Sequence, residues 1–280
     1  DTSNDTVSGS SVAVGSVPVS AAVRGDGSLV YVVNQGGSSI SVVDTLTNTV
    51  TATISTGSTP FFAAVSPDGT RVYVTNYSDA TVSVINTATN TVMATVSVGG
   101  SPLGVAFSPD GSRAYVVSAG NNSVSVINTA SNTVSATIPV GNVPYGIALS
   151  PDGSVAYVAN QSSNSVSVIN TTTNTVVASI GVGTSPTSIA FSPDGTRAYV
   201  TNENGNSVSV INALTKTVSA TINVGSNVNG VVFSPDGTRA YVNVTGSSSI
   251  SVIDTATSAI IGTISASSFA GLGICSNGNA

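Results

Sequence analysis

The sequence predicts an all-β protein, a β-propeller built of 42-residue, four-stranded antiparallel blades, and three observations lead there. Tyr31, Tyr73, Tyr115, Tyr157, Tyr199 and Tyr241 recur every 42 residues with no insertion or deletion, and a fixed period of this size marks a repeat architecture. Each period holds short runs rich in Val, Ile and Thr set apart by turn residues, with none of the spacing of an amphipathic helix. The inner runs are apolar on both faces, so sheets must cover both of their sides. Radially packed blades satisfy all three conditions.

One copy, Ser101 to Val140, shows the elements in order. Leu103 to Ser108 is the first strand, short and apolar. Pro109-Asp110-Gly111 turns the chain into Arg113 to Ser118, because Pro pre-sets the first turn dihedral and Gly accepts positive φ. Ser123 to Ile127 is the third strand, and the polar turn Asn128 to Asn132 leads into Val134 to Val140. There Val134, Ala136, Ile138 and Val140 alternate with Ser135, Thr137 and Pro139, the pattern of an outer strand with one wet face.

Six full copies span 15–266 of a single domain, 1–280. Both ends carry further repeat material. Ser11 to Gly15 matches the outer strand Thr137 to Gly141, and Gly271 to Asn279 resembles the inner strand and turn Gly146 to Ser154. The expected plan is six full blades plus an incomplete seventh, with 1–14 as its outer strand and 267–280 as the start of a further repeat. The alternative is a six-bladed ring whose spare end strands lie outside it or pair with a neighbouring molecule.

Tyr73-Val74-Thr75-Asn76 and Tyr199-Val200-Thr201-Asn202, with the recurring Ser-Pro-Asp-Gly and Ser-Val-Ser-Val-Ile-Asn elements, resemble the YVTN-type propellers of surface-layer-like and secreted proteins. The resemblance covers nearly the whole chain. Ser118 and Val244 depart from it at the motif Asn, and Gly25 at the turn Pro. It implies the fold, and it implies an extracellular or cell-surface location as an expectation; the motif itself is structural and names no activity.

Composition narrows the function. Only 6% of the residues are charged and the formal net charge is −6, with no basic run, which argues against a phosphate-backbone partner and hence against nucleic acid. No apolar stretch approaches the roughly 18 residues of a membrane-spanning helix, so membrane insertion is not expected. The chain has no His and one Cys, which removes His-activated nucleophiles, His-ligated metals and Cys clusters. Catalytic residues, bound metals and cofactors are expected to be absent. The Asp series from Asp26 to Asp236 reads as turn capping, not as a calcium ring, since each belongs to a different blade.

Comparing the copies locates a candidate site. The residue after the loop Pro runs Val19, Phe61, Leu103, Tyr145, Thr187 and Asn229, and the residue after the motif Asn runs Gln35, Tyr77, Ala119, Gln161, Glu203 and Thr245. Antiparallel connectivity brings both variable series to one rim, around the channel mouth. Phe61, Phe62, Leu103, Tyr145 and Tyr77, with Gln35, Gln161, Glu203 and Asn229, form the expected binding rim, although Phe62 and Leu103 also suit the core. The expected function is a non-catalytic structural, adhesion or protein-interaction module, with a protein or a cell-surface glycan as partner and self-assembly through the end strands as a further possibility. The alternatives are a lactonase-like hydrolase using Glu203 and Asp79, or a carbohydrate binder stacking sugars on Tyr77, Tyr145 and Phe61. Sequons stand at Asn4, Asn76, Asn121, Asn160, Asn170 and Asn243.

Overall fold

The computed structural model describes residues 11–265, which form 24 strands in six four-stranded antiparallel sheets, the six blades of a propeller. The blades occupy 18–55, 60–97, 102–139, 144–181, 186–223 and 228–265. In blade two the strands run, from the channel outward, Pro60–Val65, Arg71–Asn76, Thr81–Asn86 and Thr91–Ser97. Innermost strands of consecutive blades lie side by side from blade one to blade six. Residues 11–14 are in no strand; the expected end strands within 1–10 and 267–280, and Cys275, lie outside the described residues.

Each element has a local cause. The inner hairpins turn at Pro-Asp-Gly, with Gly69, Gly111, Gly153, Gly195 and Gly237 at φ near 70° as the turn requires. Asp68 accepts hydrogen bonds from the Ser66 hydroxyl at 2.6 Å and the Thr70 amide at 3.0 Å. The same cage recurs at Asp110, Asp152, Asp194 and Asp236. The arginines that follow reach beyond their own turn. Arg113 donates across the blade interface to the Thr171 carbonyl at 2.7 Å, and Arg71 and Arg197 reach the Thr129 and Thr255 carbonyls in the same way.

Those cages hold the carboxyls of Asp68, Asp110, Asp152 and Asp194 below the usual 3.8, chiefly through donation by Ser66, Ser108, Ser150 and Ser192. A carboxyl depressed by folding adds stability that is complete above its unfolded pKa and is lost as pH falls through the lowered folded value. The urea midpoint is therefore expected to stay level from about pH 7 to 5 and to drop below about pH 4. An unchanged midpoint at pH 3 would show that the cages contribute nothing.

The motif Asn residues cross-link strands two and three. Asn76 donates through Nδ2 to the Ser83 hydroxyl at 2.9 Å, as Asn34, Asn160 and Asn202 do to Ser41, Ser167 and Ser209. This pairs the Asn of one motif with a Ser of the other in the same blade. Asn76 Oδ1 also accepts from the Gly57 amide at 3.1 Å. The repeated tyrosines pack between blades, with Tyr73 against Phe107 at 4.8 Å and Tyr199 against Phe233 at 4.8 Å between ring centroids. The Tyr73 hydroxyl donates to Asn132 Oδ1 at 2.9 Å, whereas the hydroxyls of Tyr31, Tyr115, Tyr157 and Tyr199 find no partner among the described residues.

Five blade interfaces are closed by apolar clusters of the kind Tyr31, Val33 and Ile40 make with Ala63, Val72 and Val74. The faces that blades six and one would turn toward each other differ. Val30 and Val32 are half-buried, while their counterparts Val72 and Val74 are fully buried. Ile250 and Ile264 are likewise half-buried, against buried Val208 and Ile222 in blade five. Gly27 has nothing within 4 Å, where Gly69 through Gly237 each meet a side chain of the preceding blade. Among the described residues, six blades thus pack through five dry interfaces and leave, between blades six and one, a seam whose faces are less buried.

Candidate binding site at the aromatic channel mouth

Each blade enters its innermost strand through a residue in the left-handed region, at Val17, Thr59, Ser101, Val143, Ser185 and Asn227, with φ between 48° and 56°. β-branched residues adopt this conformation poorly, so the loops around the mouth are held by their surroundings. The next two residues carry the first variable series to the channel.

The aromatic members of both series converge. Phe61 of blade two and Tyr145 of blade four meet edge-to-face with centroids 6.0 Å apart; the blades are not neighbours, so this contact spans the channel mouth. Phe62 meets Tyr145 at 6.0 Å, and Phe61 also touches Phe62 at 5.4 Å and Tyr77 at 6.3 Å. Phe61, Phe62 and Tyr145 are half-buried and Tyr77 is 40% exposed. Leu103 is only 4% exposed, so it is a core residue. The two positions that suited both rim and core thus separate: Phe62 joins the rim cluster and Leu103 does not.

The other side of the mouth is polar. Gln161 donates through Nε2 to Glu203 Oε2 at 3.3 Å, Asn229 donates to the Thr245 hydroxyl at 3.1 Å, and Thr187 pairs with Thr201 at 3.0 Å. Gln35 is half-buried on the same rim, with its amide bonded to the Val17 carbonyl. Burial, and secondarily the Glu203 carboxylate, push the Tyr145 phenol up to about 12, so it stays protonated at neutral pH.

Charge divides between the two rims. All five arginines and Lys216 sit at the hairpin turns of the opposite rim, whereas the mouth loops carry Asp79 and Glu203. Among the described residues no three of His, Cys, Asp and Glu gather in one place. Of the sequons, Asn76, Asn160 and Asn243 are buried, Asn170 is half-buried and Asn121 is exposed; Asn4 lies outside the described residues. No helix of the described residues is long and apolar enough to cross a membrane.

Comparisons with known proteins agree with this architecture. The chain is similar to Kuenenia stuttgartiensis hydrazine synthase, with 26% identity over 87% of this chain and 78% of that one, at a TM-score of 0.77. It shares the fold of a protein of unknown function from Desulfotomaculum acetoxidans (20% identity, 93% and 88% covered, TM-score 0.78). It also shares that of a candidate 6-phosphogluconolactonase from Bacteroides uniformis (19% identity, 89% and 85% covered, TM-score 0.78). No curated protein matches it. The model of the YncE-like β-propellers matches residues 5–122 and 105–205, most of the repeat array, and with six YVTN-type blades on the page the chain belongs to the YncE-like β-propeller family.

Proposed function

We propose that this protein is a non-catalytic binding module, working outside the cell or on its surface, that captures a protein segment at the aromatic mouth. The carrying observation is the four-ring cluster of Phe61, Phe62, Tyr77 and Tyr145 beside the Glu203–Gln161 pair. Clustered, partly exposed aromatics are typical anchors of protein interfaces. Sugar binding needs an open ring face for stacking, and here Tyr145 stands edge-to-face to Phe61 and Phe62 while Phe61 is tilted against Tyr77, which favours a peptide side chain over a glycan. The absence of cations on this rim favours a neutral or basic segment.

The lactonase reading draws on one structural neighbour of similar fold. It fits the mouth less well. A phosphorylated lactone would meet Glu203 and Asp79 and no arginine or lysine, and Tyr145 cannot serve as a base while its phenol stays protonated.

A displayed peptide library panned on the intact chain tests the proposal. Enriched peptides should pair an aromatic or aliphatic anchor with Lys or Arg, and Phe61→Ala or Tyr145→Ala should weaken them by about tenfold or more without unfolding the blades. Enrichment indifferent to these substitutions would overturn the site. Selective binding on a glycan array, with no peptide enriched, would overturn the partner class.

A further inference from the structure

Below the aromatic mouth the channel opens into a cavity of about 320 Å³, walled by five blades through residues such as Ala64, Phe107, Leu149, Phe191 and Phe233. This volume is at the lower end of the range for small-molecule sites, about 300–1,000 Å³. One end lies under the rings of Phe61, Phe62 and Tyr145, which meet across the channel. There the inner strands also approach closely: a Cβ built on Gly104 would lie 2.7 Å from the Tyr145 carbonyl oxygen. At the other end Pro109, Pro151, Pro193 and Pro235 line the opening beside the Pro-Asp-Gly turns. The cavity is thus a funnel that enters from the rim opposite the proposed partner site.

The chemistry of the wall selects its ligand. No charged residue lines the cavity. The Asp residues beside its prolines are turned onto their own Ser and Thr, as Asp110 is onto Ser108 and Ser112. None of the buried polar side-chain atoms that lack a partner belongs to the wall, and its side chains are mostly apolar, which suits a largely apolar molecule. Three lining residues are serines. Ser192 and Ser234 donate to Asp194 and Asp236, whereas the Ser188 hydroxyl makes no hydrogen bond among the described residues. Ser188 stands where blades three, four and six carry Gly104, Gly146 and Gly230, so blade five alone of these adds a polar group to an apolar wall.

We infer that this funnel is a binding site for a neutral, largely apolar small molecule carrying one hydrogen-bonding group that meets the Ser188 hydroxyl. An alkylphenol has the required chemistry.

The test uses the full chain and the neutral fluorescent probe N-phenyl-1-naphthylamine, displaced by 4-propylphenol. Saturable probe binding is expected, weakened about tenfold or more by Ala148→Leu, which fills the cavity. Should that variant fail to fold, the double variant Ala148→Val with Ala190→Val fills the space more gently, since blade six already carries Val232 at this position. Ser188→Ala should leave the probe unchanged and weaken displacement by the phenol several-fold. Tyr77→Ala, at the mouth but outside the rings that close the channel, should change neither, which separates this site from the mouth. The inference is overturned by absence of saturable binding, or by binding that resists cavity filling. Binding lost in Tyr77→Ala also overturns it, because the probe then sits at the mouth.

Discussion

Val72→Asp is expected to unfold the propeller under conditions where Val30→Asp, the same change at the same place in the repeat, leaves it folded. Val72 is fully buried in the cluster between blades one and two, with Tyr31, Val33 and Val74 around it. A carboxylate there has no partner, and either it stays charged in an apolar site or it takes up a proton and loses its hydration. The cost is more than about 3 kcal/mol, a large share of the stability of an ordinary domain. Val30 occupies the equivalent strand position in blade one but faces the seam and is half-buried, so its Asp keeps contact with water and should cost about 1 kcal/mol or less. Urea denaturation of the two variants, side by side, reads the difference. Equal losses would mean that the seam is as dry as the other five interfaces.

That comparison also shows where sequence reasoning stops. Strand number, strand order and the Pro-Asp-Gly hairpins were legible, because a repeat with no insertions exposes its own turns; the alternation read along the outer strand holds only in part, since a bulge between Val134 and Ala136 turns Val134 outward. The seam was not legible in this form. Val30 and Val72 are the same residue in the same motif, and only the position of the blade in the ring makes their surroundings differ. The bonding of Asn76 to Ser83 was hidden for a related reason: the two residues belong to separate motifs seven apart, and only strand pairing aligns them. The interblade reach of Arg113 to Thr171 spans 58 residues and carries no local signal.

The site was partly legible. Variation between copies picked out Phe61, Tyr77 and Tyr145 as rim residues, since positions free of a shared structural duty are free to diverge. It could not separate Leu103, which follows its Pro as Phe61 does and yet is only 4% exposed. The channel cavity was missed because its wall is made largely of the repeated residues themselves, the Ala, Phe and Pro positions that recur in most blades. Comparison between copies discards what they have in common, and a site on the axis is built from just that.

Gly146→Ala tests the geometry on which both the mouth and the cavity depend. A Cβ on Gly146 would fall 2.3 Å from the Thr187 carbonyl oxygen and 3.2 Å from the Ser188 Cα. Both are backbone atoms of the neighbouring inner strand, so no side chain can rotate away, and the strands of blades four and five must separate. Overpacking of this kind costs about 1–3 kcal/mol, and rigid backbone on both sides places this case at the upper end. Gly181→Ala is the control: it lies in the outer strand of the same blade with nothing within 4 Å of its Cβ, and it should be neutral within about 0.5 kcal/mol. The damage has a direction, because Tyr145 precedes Gly146 on the strand that is displaced. Its ring should leave Phe61 and Phe62, opening the channel from the mouth side. Folded Gly146→Ala should therefore lose near-ultraviolet circular dichroism from the aromatic cluster and bind mouth peptides more weakly, while Gly181→Ala changes neither. If Gly146→Ala matches Gly181→Ala in both stability and spectrum, the inner strands are not in the tight contact that shapes the mouth.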